Sequence, residues 1–265
     1  MAGTTIDLTG QTALITGGAT GLGFAIAAEL GNAGARIALN DLSREQVDAA
    51  CERLVGQGVE CAGFVADVRE RPAVDAMVRG IEDRWGAPDI VVANAGIYPN
   101  TPFLEIAEEE WDQVFDINVK GTFLTCQAAA RSMVAAGRRN GRMVVISSGA
   151  ANAALWGWSH YCASKAAVAM FARSMALELA EHGIRVNAVL PGYIDVEEGG
   201  THLDEAYKSA ARNAIPIGRP GTPVDIARAV LLLVSPLADY VNGASLVVDG
   251  GSSAGRSGVR PISRG

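Results

Sequence analysis

The sequence predicts an α/β protein in which a doubly wound parallel sheet carries helices on both faces. Two observations predict this fold class. Along the N-terminal half, short apolar runs alternate with longer amphipathic segments, and the connections between them are only a few residues long. The first apolar run also passes into a glycine-rich turn before the first amphipathic segment. Strand–helix alternation of this kind gives parallel strands joined by right-handed crossovers.

The expected elements follow from apolar periodicity, taken in chain order. In the N-terminal half, strands and helices alternate over residues 12–16, 21–33, 36–40, 44–55, 60–65, 71–85 and 89–93. The C-terminal half continues with a largely helical region, a strand, a helix, a strand, a helix and a strand, over residues 108–136, 143–146, 160–181, 184–189, 223–235 and 245–248. Thr222 is the expected N-cap of the last helix.

Composition bounds the class of protein. The chain has 265 residues, of which 49% are hydrophobic, and this is enough for one domain with a sizeable core. No Pro/Ser/Gly-rich or charge-rich stretch interrupts the chain before its last dozen residues, so we expect a single domain over residues 1–265. The formal net charge of −7 argues against nucleic-acid and anionic-membrane partners.

Location and metal content are also constrained. The N-terminus lacks the charged and apolar regions of a signal peptide, and no run approaches the ~18 apolar residues that a membrane span requires. We therefore expect a soluble, cytoplasmic protein. No metal site is predicted, because there is no C-x-x-C or metal-ligand spacing among the cysteines, which are Cys51, Cys61, Cys126 and Cys162.

Two segments are expected to pack less firmly than the rest. Residues 195–215 are polar, acidic and glycine-containing, and a weak helical pattern covers only 203–213. Loops of this length in compact domains are commonly functional, so we interpret the segment as a lid over the substrate. The tail over 252–265 carries three arginines and no acidic residue. We expect this tail to be flexible unless a neighbouring subunit receives it.

The glycine-rich turn after the first strand is a candidate dinucleotide site. Gly17, Gly21 and Gly23 have the spacing G-x-x-x-G-x-G, which departs from the G-x-G-x-x-G fingerprint. Glycine lets the backbone turn sharply and lets a pyrophosphate approach the amides of a helix N-terminus. The alternative is an ordinary glycine-rich turn, but the position inside a strand–helix–strand unit favours dinucleotide binding.

Two carboxylates are candidates for the adenosine half of the dinucleotide. Asp41 follows the second strand, where it can hold the ribose hydroxyls and would repel a 2′-phosphate. Because neither position 20 nor position 42 is Arg or Lys, we predict NAD rather than NADP. Asp67, after the third strand, can accept a hydrogen bond from the adenine amino group. The alternatives are a helix cap for Asp41 and a loop residue bonded to local amides for Asp67.

Tyr161 and Lys165 are the candidate chemical centre. They are four residues apart, so on a helix they lie on one face, one turn apart. A nearby ammonium favours the phenolate, and a tyrosine with a lowered pKa takes a proton from an alcohol or returns one to a carbonyl. Ser148 follows a buried strand, at the edge of the sheet where α/β proteins place their chemistry. Taken alone, a Tyr–Lys pair at this spacing is usually a surface pair.

Asn118 is out of place in the largely helical region, because it lies among apolar residues. Asn is a poor helix-interior residue, since its amide competes for backbone hydrogen bonds. Local inconsistencies of this kind are often functional. The alternative is a buried amide that fixes a kink, and it does not exclude a functional role.

Together these residues resemble a known family. The ordered set is Thr16-Gly-x-x-x-Gly21-x-Gly23, Asp67, Asn94-Ala95-Gly96, Asn118, Ser148, Tyr161-x-x-x-Lys165, Asn187 and Pro191-Gly192. It resembles the short-chain dehydrogenase/reductases over about residues 8–250. The resemblance implies a seven-stranded parallel sheet of Rossmann type and hydride transfer with a bound nicotinamide cofactor. It also implies a homotetramer built across the helices of residues 108–136 and 160–181.

The resemblance further implies roles for individual residues. Tyr161 is the general acid/base, and Ser148 orients the substrate and stabilises the developing oxyanion. Lys165 holds the nicotinamide ribose and lowers the pKa of the tyrosine, while Asn118 holds a water of a proton relay. Besides Tyr161 and Lys165, the predicted cofactor contacts are Gly17, Thr20, Gly21, Leu22, Gly23, Asp41, Leu42, Asp67, Val68, Asn94, Ala95, Gly96, Pro191, Gly192 and Ile194.

Two positions depart from the family pattern. Ala93 stands where the family usually has the first Asn of Asn-Asn-Ala-Gly, which is a mild variation. Val196 stands five residues after Pro191, where the family often has a Thr that bonds the nicotinamide carboxamide. That contact then comes from backbone, from Thr201 after a rearranged loop, or is absent, so the geometry of the lid stays open.

The substrate is the least constrained prediction. Beside Ser148 and Tyr161, the candidate contacts are aromatic or polar side chains around the expected cleft: Tyr98, Asn152, Trp156, Trp158, His160 and Tyr193. Flat rings beside polar groups suit a sugar or polyol, although a loop Trp as often packs beneath its loop. We expect a secondary alcohol or ketone in a polyol, sugar or hydroxy acid. The alternatives are a 3-oxoacyl or other ketone reductase, and a non-enzymatic NAD(P)-sensing protein on the same fold.

Overall fold

The computed structural model of the protein describes residues 6–196, 209, 212 and 214–255. In chain order the strands are Thr12–Thr16 (β1), Arg36–Asp41 (β2), Cys61–Val65 (β3), Ile90–Ala93 (β4), Gly141–Ile146 (β5), Ile184–Pro191 (β6) and Ser245–Val248 (β7). They form one sheet in the order β3-β2-β1-β4-β5-β6-β7, and every neighbouring pair is parallel. The predicted α/β fold of Rossmann type is confirmed.

The helices cover both faces of the sheet. Those that the structure describes are Gly21–Asn32 (α1), Arg44–Gly56 (α2), Arg71–Trp85 (α3), Glu108–Phe115 (α4), Gly121–Ala135 (α5), Ser159–Leu179 (α6) and Pro223–Val234 (α7). Apart from the split of the 108–136 region, element bounds agree with the expected ones to within about two residues. Thr222 caps α7 as predicted, and its side chain shares a capping box with Asp225.

Burial on both faces explains why the central residues of β1 are all apolar. All five residues of β1 are buried, and alternate residues enter different cores. Leu14 packs in the core that contains Met133 of α5, whereas Ile15 packs in the opposite core with Ile26 of α1. A parallel sheet covered by helices on both sides requires this pattern.

The long helical region over residues 108–136 is interrupted at the position that the sequence singles out. Between α4 and α5, residues Asp116–Lys120 form a π-helical turn, and Asn118 is buried in its middle. The Asn118 carbonyl accepts a hydrogen bond from the Thr122 hydroxyl at 2.7 Å, outside the regular helical pattern. The expected irregularity is therefore present, and turns of this type are frequent at functional sites.

Strand order reverses between β1 and β4, and ligands of open α/β sheets bind beyond the carboxyl ends of the strands at such a point. Most of the predicted lid, nearly all of the weak helix over 203–213 and the tail from residue 256 lie outside the described residues. Within the part that is described, no helix is both long and apolar enough to cross a membrane.

Candidate active site

The glycine-rich turn between β1 and α1 has a geometry that requires glycine at three positions. Gly17 and Gly21 have φ angles of +61° and +52°, and a methyl group on Gly23 would lie 2.0 Å from the Gly17 carbonyl oxygen. Asn94, directly after β4, closes the turn, because its Nδ2 donates to the carbonyl oxygens of Thr16 and Gly17 at 3.0 and 2.9 Å. The Thr16 hydroxyl accepts from the amides of Asn94 and Ala95. The turn is thus bonded to the end of β4.

The start of α1 fits the pyrophosphate of a dinucleotide. Thr20 is the N-cap residue, but its side chain does not cap the helix, and the first turn holds no acidic residue. Gly21, Leu22 and Gly23 are the first residues of α1, so their amides have no acceptor within the helix. Free amides and the positive end of the helix dipole bind anions.

Asp41 ends β2 beside this turn. Its carboxylate accepts hydrogen bonds from the amide of Ala19 at 3.1 Å and from its neighbour Leu42 at 2.8 Å. The N-cap of α2 is Ser43, whose hydroxyl accepts from the amide of Gln46. The helix-cap alternative for Asp41 is therefore wrong, and its carboxylate lies at the glycine-rich turn instead.

Asp67, after β3, is bonded to its own loop. Its carboxylate accepts from the Arg69 guanidinium at 2.6 Å and from the Arg69 amide at 2.9 Å. The hydrogen bonds from the Arg69 side chain hold the pKa of this carboxyl below its usual value. These local bonds match the alternative interpretation, and the adenine contact stays a prediction. The neighbouring Val68 is buried, and a methyl group on Gly121 would lie 2.7 Å from its Cγ2.

Ser148 and Tyr161 come together at the carboxyl end of β5. The Ser148 hydroxyl accepts a hydrogen bond from the amide of Ala150 at 3.1 Å, and it lies near enough to the Tyr161 phenol to act on its pKa. Burial raises the pKa of Tyr161 to about 12, and the Ser148 hydroxyl opposes this rise. This is opposite to the prediction from the sequence, in which the nearby Lys165 lowers the pKa of Tyr161. The protein's own groups do not make this phenol acidic, because desolvation outweighs every favourable contact.

Lys165 lies beneath the same ring. Its Nζ is 5.8 Å from the centroid of the Tyr161 ring and donates a hydrogen bond to the Ile146 carbonyl at 2.9 Å. The side chain is buried, and this burial lowers the pKa of Lys165 to about 8. The main-chain carbonyl of Lys165 accepts from the buried Ser147 hydroxyl. Lys165 is therefore buried and Tyr161 half-buried, so they are not a surface pair.

Asn118 and Lys165 converge on Gly96. A methyl group on Gly96 would lie 3.1 Å from Asn118 Oδ1 and 3.3 Å from Lys165 Nζ, so a glycine here leaves the space between them open. The Asn118 side chain is held by the main chain of Ile97, accepting from its amide at 2.8 Å and donating to its carbonyl at 2.9 Å. Asn118 thus ties the π-helical turn to the segment after β4.

The segment after β6 carries the last predicted cofactor contacts. Pro191 ends the strand, and a methyl group on Gly192 would lie 2.6 Å from Asp249 Cβ. Ile194 is half-buried and pairs with Gly221 as an isolated bridge. Val196 is the last described residue before the predicted lid, and Thr201 lies outside the described residues.

The candidate substrate residues differ in their exposure, so only some of them have a surface to offer a substrate. Trp156 is exposed, with 81% of its surface accessible, whereas Trp158 is buried beneath the loop and its indole N–H donates to the Tyr98 carbonyl at 3.1 Å. Trp158 therefore packs under its loop and is not a surface for substrate. The Tyr98 ring lies 6.0 Å from the Tyr161 ring, facing the chemical centre. Asn152, which precedes Trp156 in the same loop, is exposed. Tyr193, which follows β6, is half-buried.

His160 is placed differently from the prediction. It is fully buried, and its Nε2 lies 2.8 Å from a carboxylate oxygen of Glu110, so it has no surface to offer a substrate.

Glu110 and Ser164 also contribute to the site, and sequence reasoning missed them. Ser164 donates to the Tyr161 carbonyl and could have been noticed one position before Lys165. Glu110 carries no local signal, because 50 residues separate it from His160.

Comparisons with known proteins agree with this geometry. A family model described as enoyl-(acyl carrier protein) reductase matches residues 17–253. The chain is 38% identical to 5-keto-D-gluconate 5-reductase of Escherichia coli (strain K12), covering 92% of this chain and 96% of that protein. It is also 38% identical to sorbitol dehydrogenase of Cereibacter sphaeroides, covering 92% and 98%. A crystal structure of a short-chain type dehydrogenase/reductase from Mycobacterium marinum superposes with a TM-score of 0.90, at 36% identity, over 95% of this chain and 98% of the other.

These matches extend over nearly the whole chain, and the span that the family model matches contains the glycine-rich turn, Ser148, Tyr161 and Lys165. Proteins of this kind act on CH–OH groups with NAD or NADP, and the start of α1 fits such a dinucleotide. The chain belongs to the short-chain dehydrogenase/reductase family and is an NAD(P)-linked oxidoreductase of that family.

Proposed function

We propose that the protein is an NAD-dependent oxidoreductase that interconverts a secondary alcohol and a ketone in a polyol, sugar or hydroxy acid. The observation that carries this proposal is the approach of the Ser148 hydroxyl to the Tyr161 phenol, with the Lys165 ammonium 5.8 Å from the centre of the same ring. A substrate oxygen bound there meets two hydroxyl groups and lies near a buried cation.

In this proposal Tyr161 is the general acid/base. In the oxidation direction it takes the proton of the alcohol, and in the reduction direction it gives that proton to the ketone oxygen. Ser148 donates a hydrogen bond to the same oxygen and stabilises the negative charge that develops on it. When bound, the nicotinamide ring supplies the acceptor or the donor of the hydride.

The pKa values of Tyr161 and Lys165 matter for the direction of proton transfer. With a pKa of about 12, Tyr161 is protonated at neutral pH, which suits the acid of a reduction. Oxidation needs the phenolate, so it requires positive charge close to the ring. Lys165, with a pKa of about 8, carries that charge at neutral pH. A positively charged oxidised nicotinamide would add to it.

The donors of Lys165 fit the cofactor ribose. Of its three N–H groups, the contacts among the described residues use one, which is bonded to Ile146. The other two suit the hydroxyls of a nicotinamide ribose, and Asn118 is positioned across Gly96 to hold a water for proton relay. At the other end of the dinucleotide, the Asp41 carboxylate at the glycine-rich turn favours ribose hydroxyls over a 2′-phosphate. We therefore propose NAD.

The substrate class follows from the side chains around the Tyr161 phenol and from the relatives. Tyr98 and the exposed Trp156 offer flat apolar surfaces, and Asn152 offers an amide. Sugar and polyol rings or chains have apolar faces and hydroxyl edges, which suit this mixture. The names of the two relatives, a keto-gluconate reductase and a sorbitol dehydrogenase, support the same class.

Two other functions remain as alternatives to test. A reductase of 3-oxoacyl thioesters uses the same chemistry, and the acyl-carrier description of the matched family model favours it. A non-enzymatic NAD(P)-sensing protein would tolerate loss of the catalytic side chains. Ser148, Tyr161 and Lys165 are all present, and the Ser148 hydroxyl and the Lys165 ammonium both lie near the Tyr161 side chain. The sensor is therefore disfavoured.

The test of the chemistry is Tyr161→Phe. We expect kcat to fall by about a thousandfold, because the acid/base hydroxyl is lost, while NAD binding changes little. NAD binding is measured by quenching of protein fluorescence and turnover by absorbance of NADH. Retention of most turnover with intact NAD binding would refute the assignment.

The test of the substrate class is a panel in both directions. NAD reduction is followed with polyols, sugars and hydroxy acids, and NADH oxidation with 3-oxoacyl thioesters and simple ketones. We expect the highest kcat/KM with a polyol, sugar or hydroxy acid. A higher value with an oxoacyl thioester would support the alternative reductase, and no absorbance change with any substrate despite tight NAD binding would support the sensor.

Assembly and location remain part of the proposal. A homotetramer built through α5 and α6 is supported by exposed apolar side chains on these helices, among them Met170 and Leu177. Light scattering of the purified protein would test it. The single-domain organisation, the lid over 195–215 and the cytoplasmic location also stay predictions.

A further inference from the structure

The first turn of α6 has an unusual cap. The N-cap position is occupied by Trp158, whose side chain makes no capping bond. The amides at the start of a helix have no intrahelical acceptor, so they need one from elsewhere. The Tyr161 amide obtains it from the preceding residue: it donates to His160 Nδ1 at 3.0 Å.

This bond determines which nitrogen of His160 carries the proton in a neutral ring. Because Nδ1 accepts from the Tyr161 amide, the proton lies on Nε2. Nε2 then donates to the Glu110 carboxylate of α4 at 2.8 Å. The ring is fully buried, whereas the Glu110 side chain is 30% exposed. His160 is therefore fixed at both nitrogens, and it joins α4 to the main chain of Tyr161.

The carbonyl of Tyr161 is held in a parallel way. It accepts from the Ser164 hydroxyl at 2.8 Å, and this hydroxyl in turn accepts from Asn118 Nδ2 at 3.0 Å. Both main-chain groups of Tyr161 are thus bonded to side chains, one connected to α4 and the other to the π-helical turn. Side-chain capping of the Tyr161 amide and carbonyl fixes the position from which its phenol projects.

We propose that His160 and Glu110 are positioning residues for catalysis: the Glu110–His160 pair holds the Tyr161 backbone so that its phenol meets the substrate oxygen. This inference rests on the proposed role of Tyr161 as general acid/base. Misplacement of a catalytic group by about 1 Å costs as much as a hundredfold in rate, so the loss of one such anchor is measurable.

Two amide substitutions at residue 160 separate the two bonds of the ring. His160→Asn keeps an acceptor near the position of Nδ1 and loses the reach to Glu110. His160→Gln keeps a donor near the position of Nε2 and loses the acceptor for the Tyr161 amide. We expect kcat to fall by about 30-fold in His160→Gln and by about tenfold in His160→Asn, which loses the bond to Glu110 as Glu110→Leu does. The KM for NAD should change by less than about twofold in both variants, because His160 does not belong to the proposed cofactor contacts.

Glu110 is tested with its own conservative exchange. Glu110→Gln keeps an oxygen that accepts from Nε2, so kcat should stay within about threefold, whereas Glu110→Leu leaves the buried N–H without a partner and should cost about tenfold or more. The matched control is Glu109→Gln, an exposed neighbour on the same helix, which should leave kcat unchanged.

A measurement independent of activity distinguishes this inference from the proposed function. Hydrogen–deuterium exchange of the peptide over residues 159–165 should be faster in His160→Gln and Glu110→Leu, and unchanged in Tyr161→Phe and Glu109→Gln. An active Tyr161→Phe would overturn the proposed function. Unchanged kcat together with unchanged exchange in His160→Gln, while Tyr161→Phe is inactive, would overturn the positioning role alone.

Discussion

The two halves of the active site are built in different ways. The glycine-rich turn after β1 is made by the main chain and by missing side chains, since Gly17 needs a positive φ and Gly23 has no room for a methyl group. The start of α6 is held by side chains that reach it from other elements, of which Glu110 and Asn118 are the most distant in sequence. The cofactor half thus depends on local backbone geometry, and the chemical half depends on tertiary contacts.

Because of this difference, the cofactor half and the chemical half tolerate different substitutions. A turn that requires glycine has no conservative exchange, because every other residue adds at least a Cβ. A helix start held by hydrogen bonds accepts any side chain that restores the donor or acceptor.

The largest effect is expected for Gly23→Ala. Its Cβ would lie 2.0 Å from the Gly17 carbonyl oxygen and 2.7 Å from Asn94 Nδ2, and both neighbours belong to the bonded turn. The turn must open, so we expect the Kd for NAD to rise at least about a hundredfold and the protein to lose about 3 kcal/mol of stability. Calorimetric titration with NAD and urea unfolding measure the two effects.

The matched control is Gly56→Ala at the end of α2. A methyl group there would meet no heavy atom within 4 Å, and Gly56 is not among the glycines with positive φ. Stability should change by less than about 1 kcal/mol and NAD binding not at all. If Gly23→Ala behaved like Gly56→Ala, the turn would not be determined by its missing side chains.

The next effect concerns the buried cation of the chemical half. Lys165 has its pKa lowered by burial from the ordinary 10.5 to about 8. The unfolded chain therefore holds this proton more tightly, and the wild-type protein gains stability as the pH rises from about 8 to 10.5. Lys165→Met removes the buried charge, so without NAD it should be more stable than wild type by about 2 kcal/mol at neutral pH.

The pH dependence is the specific signature of this effect. The advantage of Lys165→Met should shrink as the pH is raised through the window in which the wild-type ammonium loses its proton. Urea unfolding across that range measures it. Lys120→Met, at an exposed lysine paired with Asp116, should show no such trend. A variant less stable than wild type at neutral pH would mean that the ammonium is well solvated or paired in the folded protein.

The contrast also explains how much could be predicted from the sequence. The fold, its element bounds and the Thr222 cap follow from apolar periodicity and short-range preferences, which are local properties. The convergence of Ser148, Tyr161 and Lys165 was expected because parallel strands present their carboxyl ends at one edge of the sheet. The irregular helix at Asn118 was visible as a polar residue in an apolar pattern.

What the sequence did not reveal depends on the tertiary environment. The pKa of Tyr161 was expected to fall from its spacing to Lys165, but spacing carries no information on desolvation, which raises it. His160 was expected to face the substrate, but its partner Glu110 is 50 residues away and draws it inward. Trp156 and Trp158 were equivalent by sequence and differ only in burial.

A smaller effect is expected for Asp41→Asn in the cofactor half. The amide oxygen can still accept from Ala19, the bond from the Leu42 amide to the other oxygen is lost, and the negative charge at the turn is removed. The ratio of kcat/KM for NAD over NADP should fall about tenfold, which corresponds to ~1.4 kcal/mol. Asp48→Asn, the same change on the exposed surface of α2, should leave this ratio unchanged. An unaltered ratio in Asp41→Asn would place the discrimination elsewhere.

The smallest effect is expected for Trp156→Ala at the entrance of the chemical half. This side chain is exposed, and under the proposed function it offers only a flat surface to the substrate, so its removal should raise the KM of the preferred polyol or sugar about fivefold with kcat nearly constant. Stability should not change, because no core packing is lost. Tyr240→Ala removes a fully exposed ring from the loop before β7, at the opposite edge of the sheet, and should not affect KM. Because the proposal assigns Trp156 to binding and Tyr161 to the chemical step, a fall in kcat in Trp156→Ala would show that this loop also positions the phenol.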